Sequence, residues 1–151
     1  MSLVLIGISH KTAPIRVRER FSFTKEHLKE SLIKLNSIDS VLGVIVLSTC
    51  NRMEIYAQLI DTSTSLEYHP ERSRGIDINL GMQKIIRFIT DTFLVKENKI
   101  RRHFYMLNET DTIRHIFKVA CGLDSQILGE TQILSQVKAA WDIANERGVT
   151  C

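Results

Sequence analysis

The stretch Val41-Leu42-Gly43-Val44-Ile45-Val46-Leu47-Ser48-Thr49-Cys50-Asn51-Arg52-Met53-Glu54-Ile55-Tyr56-Ala57-Gln58-Leu59 decides the fold. Val41 to Leu47 is a continuous apolar run of strand length. From Arg52 onward the pattern alternates, with Met53, Ile55, Ala57 and Leu59 on one face and Arg52, Glu54, Tyr56 and Gln58 on the other. Two strands joined by a short turn follow, and the alternation predicts a half-buried sheet face with Glu54 on the side of Arg52. The turn itself gathers a thiol, an amide and a guanidinium. Turns between strands are exposed, so Cys50 is available for chemistry in a way that a core cysteine is not. Arg52 can grip a substrate carboxylate with two parallel hydrogen bonds and favour the thiolate beside it. The turn is therefore the candidate reactive centre.

Working outward, Leu3 to Ile8 is a short apolar strand that runs through Gly7 into the polar segment Ser9-His10-Lys11-Thr12 ahead of Pro14. Thr24 can cap a helix with Leu28, Leu32 and Leu35 at helical spacing. A second helix carries Ile85, Ile86, Ile89 and Phe93, and a strand is predicted around Arg102 to Leu107. The order strand, helix, strand, strand, helix, strand predicts a ferredoxin-like four-stranded antiparallel sheet with both helices on one face, an α+β fold over residues 1–108. Residues 109–151 are wholly helical in pattern and should pack back on the sheet. Ile113, Ile116, Phe117, Ala120 and Cys121 form one stripe, ended by Gly122; Ile133, Val137, Ala140, Trp141 and Ala144 form another, ended by Gly148. The polar link Asp124 to Gln132 precedes a helix N-terminus, where unpaired N–H groups favour bound oxygen atoms, and it is read as the second half of the site. Asp61 to Gly75, rich in Ser, Thr, Glu and Arg, reads as a mobile loop or insertion.

At 151 residues, 44% hydrophobic and 25% charged, the composition is that of a globular domain, neither disordered nor membrane-like. No apolar stretch approaches the roughly 20 residues that span a bilayer, and the start lacks the basic segment of a secretory signal, so a cytoplasmic protein is expected. Cys50, Cys121 and Cys151 form neither a CxxC pair nor a metal-ligand spacing, and their odd number argues against a disulfide framework. Reduced thiols and no metal are expected, with Cys121 buried in its apolar stripe. A net charge of +3 neither implies nor repels a nucleic acid.

Three separated segments resemble bacterial glutamyl-tRNA reductases: Gly7-Ile8-Ser9-His10-Lys11-Thr12-Ala13-Pro14, Ser48-Thr49-Cys50-Asn51-Arg52-Met53-Glu54, and His115 to Ser125 continued by Gly129-Glu130-Thr131-Gln132-Ile133-Leu134. The resemblance extends over nearly the full chain apart from Asp61 to Gly75, but only over the N-terminal catalytic part of that family. Its members continue through a long spinal helix into a nucleotide-binding domain and a helical dimerisation domain. No GxGxxG follows a strand in this sequence.

The resemblance implies NADPH-dependent reduction of glutamyl-tRNA to glutamate-1-semialdehyde, the first committed step of tetrapyrrole synthesis by the five-carbon route. It implies Cys50 as the nucleophile that forms a thioester, and Arg52 as the residue that recognises the glutamate side chain. Thr49 and Asn51 are implied to line the pocket, and Ser125, Glu130, Thr131, Gln132 and Gln136 to reach the substrate from the helical side. Thr131 stands where many members carry proline. His115 matches a histidine important for activity, either positioning the carbonyl or assisting proton transfer; on the helical wheel it lies opposite the apolar stripe, facing pocket or water. A homodimer and the following aminomutase are the implied protein partners. This fragment alone should at most hydrolyse the ester.

Other classes remain to be weighed. A ferredoxin-like sheet is also the frame of RNA-binding modules, but these need displayed aromatics, whereas Tyr56 and Tyr105 are isolated. A thiol redox sensor needs a resolving cysteine. Arg52 and Glu54 could be an ordinary charge pair, worth little if exposed. Arg101-Arg102-His103 reads as a solvated cluster or as a contact for tRNA phosphates. His10 borders the candidate pocket, while His27, His69 and His103 read as surface residues.

Overall fold

A four-stranded antiparallel sheet organises the chain in a computed structural model that describes residues 1–60 and 78–150. Its strands are β1 (Ser2–Ser9), β2 (Val41–Ser48), β3 (Arg52–Leu59) and β4 (Tyr105–Asn108), in the order β2-β3-β1-β4. The helices are α1 (Ile15–Arg18), α2 (Lys25–Asn36), α3 (Ile78–Thr92), α4 (Glu97–Ile100), α5 (Glu109–Ala120) and α6 (Gln132–Glu146). This is the predicted ferredoxin-like arrangement. The Asp61 to Gly75 segment, His69 and Cys151 lie outside the described residues. The last strand starts at Tyr105 rather than Arg102, because Arg101–His103 coil into a 3-10 turn that leaves Arg101 and Arg102 in solvent instead of feeding them into the sheet.

The Thr24 hydroxyl accepts from the His27 N–H and starts α2 as expected. Leu28, Leu32 and Leu35 of α2, with Ile85, Ile86 and Ile89 of α3, bury one sheet face against Val4, Ile6, Ile8, Val44, Val46, Met53, Ile55 and Ala57. The opposite face is also covered. Leu5, Leu47 and Tyr56 pack there against Val119 of α5 and Ile133 and Ala140 of α6. The expectation of a half-buried sheet is thus corrected: Arg52, Glu54 and Tyr56 are all buried, because the C-terminal helices lie on the polar side of β3.

That cover also corrects the reading of α5. Of the predicted stripe, Ile113 and Phe117 point outward, 45% and 66% exposed, and Cys121 is exposed rather than buried, while Ile116 packs on the sheet side. The inward face is Thr112, His115, Ile116 and Val119, at helical spacing. A sheet face that presents a carboxylate selects the helix face that can answer it with a donor. Gly122 closes the helix at φ +70°, where an added Cβ would meet the Glu130 carbonyl at 2.8 Å, so only glycine fits. Among the described residues no helix is long and apolar enough to cross a membrane.

Candidate active site

The turn between β2 and β3 is fixed by its own hydrogen bonds. The Thr49 hydroxyl accepts from the N–H groups of Asn51 and Arg52, each at 3.2 Å, and the Thr49 N–H bonds the Arg52 carbonyl at 2.8 Å. The His10 N–H bonds the Asn51 carbonyl at 2.9 Å, tying the turn to the polar end of β1. Arg18 Nη1 donates to the Cys50 carbonyl at 2.7 Å and to Asn51 Oδ1 at 3.2 Å. Cys50 is thereby held exposed at the tip by backbone and hydroxyl groups that leave its sulfur uninvolved.

A cavity of about 240 Å³ opens beside this turn, lined by Thr49, Cys50, Asn51 and Arg52 on the sheet side and by Ser125, Glu130, Gln132, Ile133 and Gln136 on the helical side. Eight of the ten residues singled out in the sequence therefore meet in one place. Thr131 and His115 are not among the lining residues. Thr131 is exposed at the N-cap of α6, and His115 lies behind Arg52. Ile133 is an addition that the sequence did not offer, since its helical position made it look like core alone. A larger, mostly apolar cavity of about 410 Å³ between the sheet and α5 and α6 is walled by Leu3, Ile45, Leu47, Ile116, Val137 and Trp141 among others, and no cysteine lines it.

Behind the cavity, Glu54 sits fully buried and accepts four donors. Its Oε1 receives Arg52 Nη1 at 2.8 Å, His115 Nε2 at 2.8 Å and the Tyr105 hydroxyl, and its Oε2 receives the Tyr56 hydroxyl at 2.6 Å. Burial opposes the charge on Glu54, but the hydrogen bond from His115 and the charge of Arg52 outweigh it and hold the carboxyl below its ordinary value. Because an ionised carboxylate only accepts, His115 carries its hydrogen on Nε2. Burial and the Glu54 charge push both tyrosine hydroxyls well above their ordinary value, so both stay protonated donors. Gly7 makes the cluster possible: it pairs with Glu54 on one side and Tyr105 on the other, and a Cβ there would lie 2.8 Å from the Tyr105 ring and 2.9 Å from Glu54 Cγ.

Arg52 is 2% exposed, and besides Glu54 it donates from Nη2 to the Asp124 carbonyl at 2.6 Å and to Asp124 Oδ2 at 3.1 Å. Burial opposes its charge, and Glu54 foremost more than compensates, raising its affinity for the proton. Burial likewise opposes the charge on Asp124, yet a hydrogen bond from Lys11 and the charge of Arg52 keep it below the ordinary range. Arg52 and Glu54 are thus a buried ion pair and not the exposed one of the bland reading. His10 borders the same group; burial and the Arg52 charge lower its proton affinity. His103 is half-buried, with Nδ1 2.8 Å from the Thr12 carbonyl, and so is more than a surface residue.

The sequence placed Asp124 in the second half of the site without its bond to Arg52, and did not announce Arg18, Lys11, Tyr56 or Tyr105 as participants. The available signal was Glu54 alternating with Arg52 and Tyr56 on β3, on a face that two helices would have to cover. That cover also removes any open platform of aromatics for stacking bases, since Tyr56 and Tyr105 both point at Glu54.

Comparison with known proteins agrees with this fold. The profile of the family described as "Glutamyl-tRNAGlu reductase, N-terminal domain" matches residues 6–151. A glutamyl-tRNA reductase of Picosynechococcus sp. is 38% identical over 97% of this chain and 31% of its own length. One of Heliobacterium mobile is 40% identical over 93% of this chain and 28% of its own. The solved structure of glutamyl-tRNA reductase from Methanopyrus kandleri superposes with a TM-score of 0.68 at 26% identity, covering 99% of this chain and 29% of that one. The chain thus spans about 30% of the length of the relatives it matches.

Proposed function

Because this chain belongs to the glutamyl-tRNA reductase family, over whose N-terminal domain it extends, we propose that it carries out acyl capture from glutamyl-tRNA. The Cys50 thiol gives up its proton and Sγ attacks the ester carbonyl; the C–O bond to the terminal ribose breaks, the ribose oxygen leaves as a hydroxyl, and a thioester remains on Cys50. A thioester accepts hydride more readily than an ester because sulfur donates less electron density to the carbonyl. The observation that carries the reading is the exposed sulfur on a braced turn beside a cavity that Arg52 borders.

Arg52 takes the side-chain carboxylate of the glutamyl group. An entering carboxylate exchanges with Asp124 rather than Glu54, because Asp124 is partly exposed and retains Lys11 as a partner, whereas Glu54 is sealed. Glu130 on the opposite wall suits the α-ammonium, with Thr49, Asn51, Ser125, Gln132 and Gln136 supplying neutral hydrogen bonds. Thr131, outside the lining, acts through the start of α6. His115 serves as a positioning residue: its bond to Glu54 fixes the carboxylate that in turn fixes Arg52.

The described residues do not fit a dinucleotide. The sheet is antiparallel throughout, and the turn leaving β1, Ser9 to Pro14, contains no glycine to admit a pyrophosphate. Reduction to glutamate-1-semialdehyde, a homodimer, hand-over to an aminomutase and a cytoplasmic setting belong to the proposal for the longer protein, and only family membership supports them.

Without reductant, water replaces hydride as the second acceptor, so the chain releases free glutamate from glutamyl-tRNA. We expect deacylation above background for the wild type and background rates for Cys50→Ser. A serine variant that deacylates as fast as wild type would remove Cys50 from its role.

A further inference from the structure

Charge is distributed unevenly around the Cys50 turn. Residues 9–21 hold Lys11, Arg16, Arg18 and Arg20 against the single acid Glu19, and residues 96–104 hold Lys96, Lys99, Arg101 and Arg102 against Glu97. Eight cations against two acids in these segments, with +3 for the whole chain, leave the remaining residues net negative.

Although 91 positions apart, the two segments meet. His103 Nδ1 reaches the Thr12 carbonyl at 2.8 Å, and the rings of Phe21 and Phe104 cross edge-to-face at 5.8 Å, so the segments that carry Arg20 and Arg102 lie side by side. Arg16, Arg20, Arg101 and Arg102 are exposed. The surface begins at the nucleophile, since Arg18 holds the Cys50 carbonyl. Among the described residues its ion pairs are Lys11 with Asp124 and Arg101 with Glu97 of α4, the latter an exposed pair of the kind that is worth little. The other wall of the cavity offers Ser125, Gln132, Gln136 and the acid Glu130, so a polyanion is favoured on one side alone.

We propose that this surface docks the phosphate backbone at the acceptor end of the RNA, directing the terminal ribose ester to Cys50. The inference rests on the acyl-capture reading, and it adds which face of the protein the leaving group occupies. Phosphate contacts position a nucleic acid without reading its sequence, as positioning of a shared 3′ end requires.

The test measures binding of uncharged tRNA to the chain as salt is varied, alongside acylation of Cys50 by a glutamate α-thioester of a small thiol. Combining Arg16→Gln, Arg20→Gln, Arg101→Gln and Arg102→Gln should weaken tRNA binding by about tenfold or more near 0.1 M salt and flatten the log–log salt slope by up to about 3, at roughly 0.7–0.9 per phosphate contact. Acylation by the small thioester should be unchanged, which shows that the variant is folded and its cavity intact. Removing equal charge at Arg114 and Lys118 on α5, Lys138 on α6 and Arg147 just beyond it should leave tRNA binding as it was. An unchanged affinity and slope in the first variant, equal weakening in the second, or polyglutamate competing as well as RNA would each overturn the docking surface while acyl capture stands. A wild-type chain that takes no acyl group from the small thioester would refute acyl capture itself, and the directed delivery with it.

Discussion

Replacing Glu54 by glutamine probes the cluster on which the Arg52 wall depends. The wild-type carboxylate accepts from Arg52, His115, Tyr105 and Tyr56 with no exposure to solvent. A glutamine carbonyl offers two lone pairs, and its amide adds donors where donors already converge, so at least two partners lose their acceptor. The Arg52 charge, itself buried, keeps only Asp124. Breaking a buried pair in this way costs about 3–5 kcal/mol, which for a chain of this size lowers Tm by about 6–20 °C. The effect carries its own pH signature. The folded carboxyl is held below its ordinary value of 4.5, so its contribution is complete above that pH and is lost as pH falls through the depressed folded value. Calorimetry or circular dichroism melts of wild type and Glu54→Gln should therefore differ most near neutrality and converge on acidification below pH 4.5; Asp124, depressed in the same sense, is present in both and cancels. A Tm loss under about 2 °C at neutral pH would correspond to less than about 1 kcal/mol and refute the buried-cluster argument, as would a gap that stays constant into acid.

Two further outcomes follow from the same geometry. Gly7→Ala forces a methyl against the Tyr105 ring and Glu54 Cγ at under 3 Å, and should destabilise by about 1–3 kcal/mol in chemical denaturation, with urea midpoints as the check; a neutral effect would mean that the cluster has slack. Arg18→Ala removes the two bonds that brace the Cys50 turn from outside and should slow acylation several-fold at a stability cost of about 1–3 kcal/mol; unchanged acylation would show that Thr49 holds the turn alone.

Much of the fold was legible because its signals are local. The strand after Arg52, the Thr24 cap and the leucine spacing of α2 each read correctly, and the order of elements led to the four-stranded antiparallel sheet. The nucleophile turn was legible for the same reason, as a short polar break between two apolar strands. What escaped depended on partners distant in sequence. The orientation of α5 followed from Glu54, 61 positions before His115, and not from the helix's own hydrophobic stripe. The face held inward joins the His115 bond to the buried Glu54 carboxylate with the packing of Ile116 and Val119 on the sheet, and Ile113 and Phe117 are left partly wet. Cys121 went outward with them. The role of Asp124 depends on a loop folded by Gly122, and residue spacing alone does not reveal where such a carbonyl will point.

The most direct measurement is intact and peptide-level mass spectrometry of the chain after incubation with glutamyl-tRNA in the absence of reductant. The account predicts one adduct of glutamyl mass, located on the Cys50 peptide and discharged by hydroxylamine as a thioester is. An adduct on Cys121 instead, or an unmodified Cys50 while the tRNA is deacylated at full rate, would contradict it.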